Sequence, residues 1–385
     1  MKPSLRPENP RFSSGPCPKR PGWTPQIFDQ ALLGRSHRST SAKAKLKEAV
    51  DRTRQVLEVP PTHLIGIMPA SDTGAVELSL WSMLGARPVD VLAWESFSKG
   101  WASDILEHLK LDDVRLLEAD YGQLPDLGAV NFAHDVVFAW NGTTSGVRVP
   151  DGEWIAEERE GLTICDATSA AFAMDLPWAK LDVATYSWQK VLGGEAQHGI
   201  LILGPRAVER LEGYTPPWPL PKLFRLTKDG KLNRAIFDGV TINTPSLLAV
   251  EDYLDVLGWA REIGGLRAMI DRTDDNARAI AQWVEVTPWV DFLAADPAIR
   301  STTSVCLRIV DPWFEGLDEP GRKAVQKDIV ALLEDEGAAF DIGAYRAAPA
   351  GLRLWAGATV ERKNLEALFP WLDWAFAEIK ARHKA

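Results

Sequence analysis

Cysteine is scarce in this chain: three in 385 residues, at Cys17, Cys165 and Cys306. An odd, widely spaced set excludes a full disulfide framework and any four-cysteine metal site, and it fits a reducing compartment. Cys165 and Cys306 fall in strand-like apolar runs and read as small core residues. Long apolar runs are missing too. No segment approaches the length needed to span a bilayer, and Met1-Lys2-Pro3-Ser4-Leu5-Arg6-Pro7 lacks the apolar stretch of a secretory signal; a cytoplasmic location is expected. Basic charge is in deficit, with a formal net charge of −10. That argues against nonspecific binding to nucleic acid or anionic membranes, yet a few arginines can still dominate a pocket for a small anion. Repeats and low-complexity stretches are absent. Tryptophan, by contrast, is abundant: sixteen residues promise aromatic walls in the core or beside a planar ligand. Apolar residues at 46% and charged residues at 25% are ordinary for a globular protein, and the length allows about two or three domains.

Residues 1–35 are proline-rich, with Phe12-Ser13-Ser14-Gly15-Pro16 and Lys19-Arg20-Pro21-Gly22, and read as an extended arm with turns. A basic helix is expected from Ser41 to Leu57. From residue 64 onward, short apolar runs alternate with helical patterns. The runs are Leu64–Met68, Val89–Ala93, Asp135–Ala139, Leu162–Cys165, Val183–Ser187 and Ile200–Leu203; helices follow at Gly74–Trp81 and Trp101–Leu109. This alternation predicts an α/β fold with a mostly parallel sheet covered on both faces, whose ligands gather at the carboxyl ends of the strands. Near Thr241-Ile242-Asn243-Thr244-Pro245 a strand ends and a long helix begins, with Thr244 as N-cap and Pro245 as first helical residue. Leu247, Val250, Leu254 and Leu257 recur at helical spacing. The expected division is an arm (1–35), a large domain (36–250) and a smaller α+β domain (251–385). The smaller domain has helices at 266–284, 321–336 and 363–381 and strands near Val305–Val310 and Leu352–Trp355.

Two residues bring chemistry to the strand ends. Asp166 closes the run Leu162-Thr163-Ile164-Cys165, and Lys190 follows Val183–Gln189, immediately before Val191-Leu192-Gly193-Gly194. A strand-end lysine is ordinarily just solvated. An acid and a lysine one connection apart also suit pyridoxal phosphate: the carboxylate holds the pyridine nitrogen protonated, and the lysine bonds the cofactor and then shuttles protons. Other segments carry similar double readings. Asn141-Gly142-Thr143-Thr144-Ser145-Gly146 is composed like a polar turn, and its hydroxyls can also reach a ring oxygen. Ala70-Ser71-Asp72-Thr73-Gly74-Ala75 opens a helix whose free N–H groups favour phosphate. Asp72 would repel a phosphate there, and is assigned to capping or turn structure. Trp101 can stack on a planar ring or simply pack in the core. Ser36-His37-Arg38-Ser39 is a compact set of anion donors within a basic segment. Arg353, inside the strand-like Gly351-Leu352-Arg353-Leu354-Trp355, needs a carboxylate partner, because an unpaired buried charge is costly. Arg346 is near enough in sequence to line the same cavity.

In order and spacing these segments resemble the phosphoserine aminotransferases, class V members of the fold-type I pyridoxal-phosphate enzymes, over nearly the whole chain. The residues concerned are Phe12-Ser13-Ser14-Gly15-Pro16, Ser36-His37-Arg38-Ser39, Asn141 with Thr143, Asp166, Gln189-Lys190, Asn243-Thr244-Pro245 and Gly351-Leu352-Arg353. The resemblance implies a homodimer with shared active sites. Lys190 would be the Schiff-base lysine, Asp166 the pyridinium partner, Thr143 the ring-oxygen ligand, and Trp101 would stack on the ring. Ser71, Thr73 and Gln189 would hold the cofactor phosphate, joined by Asn243 and Thr244 from the partner subunit. Arg353 would bind the substrate α-carboxylate, and His37, Arg38 and Arg346 the substrate phosphate. The chain departs from the commoner pattern at Gly142, which replaces an acidic residue, at Tyr345, and in a stretch from Arg346 to Arg353 one residue longer.

The function this implies is ping-pong transamination between L-glutamate and 3-phosphohydroxypyruvate, giving 2-oxoglutarate and O-phospho-L-serine in serine biosynthesis. The alternative within enzymes is another class V aminotransferase, acting on alanine or serine with glyoxylate. Against it stand His37, Arg38 and Arg346, which do not suit small uncharged side chains. A cysteine desulfurase needs a mobile loop cysteine, whereas Cys306 lies in an apparent strand. A non-catalytic binding protein of the same fold would have little use for both Lys190 and Asp166.

Overall fold

The computed structural model describes residues 1–384. Its centre is a seven-stranded sheet built from β1 (Leu64–Pro69), β2 (Val89–Ala93), β3 (Val114–Glu118), β4 (Asp135–Ala139), β5 (Thr163–Asp166), β6 (Val183–Ser187) and β7 (His198–Leu203). The spatial order is β1-β7-β6-β5-β4-β2-β3. Pairing is parallel from β6 through β3, and β7 runs antiparallel to both its neighbours. Every strand but β7 therefore points its carboxyl end the same way.

Side chains alternate across this sheet, as strand geometry requires. Ile65, Ile67, Val136, Phe138, Ile200 and Ile202 enter one apolar core; Met68, Val137, Leu201 and Leu203 enter the other. Two buried faces explain why the strands read as near-continuous apolar runs. Phe138 is 1% exposed, so truncation to alanine would cost about 3–5 kcal/mol. On the first face lie α1 (Thr40–Val56) and α5 (Leu247–Glu262). On the second lie α2 (Ser71–Met83), α3 (Ser96–Ser103) and α4 (Pro205–Gly213). The edge strand β3 is mostly open to solvent and carries Arg115 and Glu118, charges that discourage edge-to-edge pairing.

A second, antiparallel sheet comprises β8 (Val290–Phe292), β9 (Ser304–Ile309) and β10 (Gly351–Trp355), with α6 (Gly265–Val286), α7 (Glu319–Asp335) and α8 (Arg362–Lys384). The proline-rich arm is irregular apart from a short 3-10 turn, Pro25–Phe28, and it stitches the molecule together. Phe12 is fully buried and its carbonyl accepts from the Trp355 N–H at 3.0 Å. Cys17 N–H donates to the Gln189 carbonyl at 2.8 Å, and Arg20 pairs with Asp255 at 2.7 Å.

Two helix starts differ from expectation. Instead of spanning Trp101–Leu109, α3 begins at Ser96, because Glu95 caps it: the Glu95 carboxylate accepts from Ser98 N–H while the Ser98 hydroxyl faces back to Glu95 N–H. The order acid-then-serine inverts the usual capping box, which hid it. The regular helix ends at Ser103 and a wider π turn, Asp104–His108, follows. The N-cap of α5 is Ser246 rather than Thr244; its hydroxyl accepts from Ala249 N–H at 3.3 Å. Ser246 is fixed there because its own N–H donates to His198 Nε2 at 3.1 Å, leaving Pro245 outside the helix.

Candidate active site

The carboxyl ends of β1, β2, β4, β5 and β6 converge on a cavity of about 330 Å³. It is lined by Ser71 and Thr73 after β1, Trp101 after β2, Thr143 after β4, Asp166 ending β5, and Gln189 and Lys190 after β6. Seven of the expected residues, scattered over 120 positions of sequence, thus share one wall. Asn141, Glu95, Phe97, Thr168 and the Gly15-Pro16 turn of the arm complete it.

Lys190 is buried, and its Nζ donates to the Ser14 carbonyl. Gly15 makes this approach possible: a Cβ there would lie 2.6 Å from Lys190 Nζ. Burial pushes the amine below the ordinary lysine value, and the Arg353 cation pushes the same way. The result favours a neutral amine, the form that can attack a carbonyl or take a proton. Asp166 is held at both oxygens: Oδ2 accepts from Trp101 Nε1 at 3.1 Å and Oδ1 from Thr168 N–H at 2.9 Å. The indole expected to cover a ring is therefore also tethered to the acid expected to sit at the ring's nitrogen.

Thr143 donates its hydroxyl proton to Ser169 Oγ at 2.8 Å, and Asn141 Nδ2 donates to the same oxygen at 2.8 Å. Ser304 Oγ donates to the Thr143 carbonyl at 2.6 Å, tying this turn to β9. Gly142 stands where a side chain would collide: an added Cβ would be 2.6 Å from Trp94 Nε1 and 2.8 Å from Glu95 Cγ. The fully buried Glu95 fills that space and accepts from the Thr144 hydroxyl at 2.7 Å. An acid is thus present beside the turn, contributed by residue 95 in place of 142.

At the opening of α2, Ala70 and Ser71 both adopt left-handed backbone conformations (φ 63° and 56°), a strain of about 1–3 kcal/mol each that clusters at functional sites. The N-cap position, Ala70, offers no side-chain capping bond, so first-turn N–H groups stay available to an anion. Asp72 departs from its expected role: it is 6% exposed, lines the cavity, and makes no capping bond.

The remaining expected residues fall into two groups. Arg353 and Arg346 approach from the second sheet, each with its guanidinium carbon 5.7 Å from the Tyr345 ring. Tyr345 lies 5.9 Å from Phe97, whose ring lies 5.9 Å from Lys190 Nζ. Arg353 Nε is buried without a partner, and Arg346 is exposed. His37, Arg38, Asn243 and Thr244 are brought together, but elsewhere: they line a separate cleft of about 400 Å³ with Lys43, Lys222 and Thr241. Within one chain the structure does not join them to the Lys190 cavity. Sequence reasoning missed Glu95, Phe97, Thr168, Ser169 and His198. Thr168 and Ser169 directly follow Asp166, and a hydroxyl pair at a strand's end was the available signal.

No family model matches the chain. It is 59% identical over 380 residues to the phosphoserine aminotransferase of Methanosarcina barkeri, covering 99% of this chain and all of the relative. It is 58% identical, with the same coverage, to that of Methanosarcina mazei. Among solved structures, a phosphoserine aminotransferase from Cytophaga hutchinsonii superposes with a TM-score of 0.82 at 20% identity, covering 95% of this chain and 98% of that one. An alanine–glyoxylate aminotransferase from Nostoc reaches 0.78 at 17% identity, covering 97% and 96%. The fold is that of the class V, pyridoxal-phosphate-dependent aminotransferases. Backbone shape barely separates the two activities just named, but sequence identity does. The chain belongs to the phosphoserine aminotransferase family.

Proposed function

We propose that this protein moves an amino group from L-glutamate to 3-phosphohydroxypyruvate, giving 2-oxoglutarate and O-phospho-L-serine, on pyridoxal phosphate carried by Lys190. The observation that carries the reading is one cavity lined by both a buried amine, Lys190, and a tethered carboxylate, Asp166, in a chain of this family. The cavity also fits the cofactor by its unmet polar groups: Asn141 Oδ1 and Thr168 Oγ1, both in its lining, are buried without partners. When bound, pyridoxal phosphate would supply an aldehyde to take the amino group and a ring to drain the electron pair left as Cα loses its proton.

Asp166 would hold the ring nitrogen's proton, with Trp101 covering the ring and Thr143 reaching its oxygen. Ser71, Thr73, Gln189 and the first-turn N–H groups of α2 would grip the phosphate. Lys190, whose amine burial holds below the ordinary lysine value, would move the proton between Cα and the cofactor carbon. Arg353, with a free buried Nε, would take the α-carboxylate common to every amino-acid substrate. One site serving two substrates in turn gives ping-pong kinetics.

The separate cleft bearing His37, Arg38, Asn243 and Thr244 supports a homodimer in which it faces the partner's Lys190 cavity. Leu223 (40% exposed) and Val240 (44%) line that cleft, apolar surface suited to burial in an interface. In that arrangement Asn243 and Thr244 would complete the phosphate cradle, and His37 and Arg38, with Arg346, would hold the substrate phosphate. The fold and the absence of membrane-crossing helices among the described residues agree with cytoplasmic serine synthesis. The test is a half-reaction screen. Loaded enzyme is mixed separately with glutamate, phosphoserine, alanine and serine, and loss of the cofactor's visible absorbance is followed. Rapid bleaching by phosphoserine and glutamate alone is expected. Faster bleaching by alanine or serine would favour the glyoxylate-type aminotransferases.

A further inference from the structure

Asp72 is a first-turn acid in an unusual place. Such residues ordinarily face water and favour the positive end of the helix. Here the first turn of α2 is pressed onto the sheet. Gly199 permits it, since a Cβ there would lie 2.2 Å from the Ser71 carbonyl; so does Gly74, whose added Cβ would lie 2.2 Å from the Pro69 carbonyl. Ser71 forms a bridge to His198, and α2 packs across β5 and β6. The Asp72 carboxyl is carried inward by this packing, to 6% exposure, against Asp166 at the end of β5 and the hydroxyls of Thr168 and Thr185. Its Oδ1 has no hydrogen-bond partner, and neither hydroxyl makes a hydrogen bond.

We propose that Asp72 is a positioning residue for Asp166: a neutral carboxylic acid that donates its proton to the Asp166 carboxylate as a third hydrogen bond. The inference rests on the reading of Asp166 as partner of the cofactor's ring nitrogen. Two carboxylates side by side in a buried site cannot both be ionised. Geometry decides which one keeps the proton. Asp166 already accepts N–H bonds from Trp101 and Thr168, whereas Asp72 has no N–H donor, only the hydroxyls of Thr168 and Thr185 beside it, whose pull toward the anion is outweighed by burial and by the Asp166 charge. Burial, with the Asp166 charge next to it, holds Asp72 well above its usual 3.8. The other ionisable groups around the pair are the buried Cys165 thiol, raised by burial and by both acids, and Lys190 and Glu95, which act on Asp166. A neutral Asp72 also removes the repulsion that an anion here would exert on a phosphate at the same helix start. The pair then carries one negative charge, aimed by three donors from three elements.

Three measurements test this. Infrared spectra of the cofactor-free protein at neutral pH should show a protonated-carboxyl C=O band in wild type and in Asp166→Asn, and lose it in Asp72→Asn. Keeping Asp72 protonated costs folding free energy at every pH above its ordinary value, since the native state then binds the extra proton. Asp72→Asn should therefore raise the cofactor-free Tm at neutral pH, by a margin that shrinks as pH falls toward 3.8. In the loaded enzyme, Asp72→Ala should lower kcat with little change in KM for phosphoserine, and Asp72→Asn, still a donor, should restore most of that loss. Absence of the band in wild type, or a Tm that falls in Asp72→Asn, would overturn the proposal. Wild-type turnover in Asp166→Asn would instead overturn the reading of Asp166, while the infrared band would remain as the separate record of Asp72.

Discussion

Acid should weaken this protein through His198, a residue with no catalytic duty. His198 is 1% exposed, opens β7, accepts the Ser246 N–H through Nε2 at 3.1 Å, and packs edge-on against Trp188 with ring centroids 5.0 Å apart. An imidazole that accepts through Nε2 must be neutral, with its proton on Nδ1 toward the Met68 carbonyl. Burial lowers its pKa from 6.5 to about 4. Above pH 6.5 the ring is neutral in both folded and unfolded chains, so its titration does not change stability there. As pH falls below 6.5 the unfolded chain takes up a proton that the native chain refuses, and stability declines until about pH 4. At about 1.36 kcal/mol per unit, the full loss is about 3 kcal/mol. The Ser246 N–H sits two residues beyond Thr244, so protonation should also loosen the Asn243–Thr244 loop before the fold yields. Urea denaturation of wild type and His198→Gln should be compared across this range; glutamine keeps an acceptor without titrating. The wild-type curve should fall relative to the variant by up to about 3 kcal/mol as pH drops from 6.5 toward 4. Parallel curves would refute the reasoning.

Arg38→Ala should weaken phosphoserine by about 1.5–3 kcal/mol, the scale of a charge-assisted hydrogen bond, or about tenfold to a hundredfold in kcat/KM. Alanine turnover should be spared, and equal loss on both substrates would deny Arg38 a phosphate role. Arg353→Ala should damage every amino-acid substrate alike in the same assay, because each presents an α-carboxylate. Mixed dimers of Lys190→Ala and Arg38→Ala, each poorly active alone, should recover phosphoserine turnover as one composite site becomes whole; no recovery would mean that both residues serve from one chain.

Much of the fold was legible because both faces of the central sheet are buried, which writes near-continuous apolar runs into β1, β4 and β7. The site was legible where chemistry attaches to strand ends, as at Asp166 and Lys190. Other features depend on contacts that local sequence does not carry. Glu95 caps α3 in reversed order and fills the space beside Gly142 from 47 residues away. Ser246 displaces Thr244 as N-cap only because His198 reaches it from another strand. Asp72 was assigned to capping or turn structure because an inward-pointing carboxylate would repel a phosphate. What turned it inward are two glycines, Gly74 and Gly199, whose missing side chains let a helix start press on the sheet.

The central claim is that the buried amine at the end of β6 carries the cofactor. Reduction of the loaded protein with borohydride, digestion and mass spectrometry would locate the pyridoxyl group directly. The account predicts a single labelled peptide containing Lys190, and no label or transamination in Lys190→Ala. A pyridoxyl group on any other lysine would contradict it.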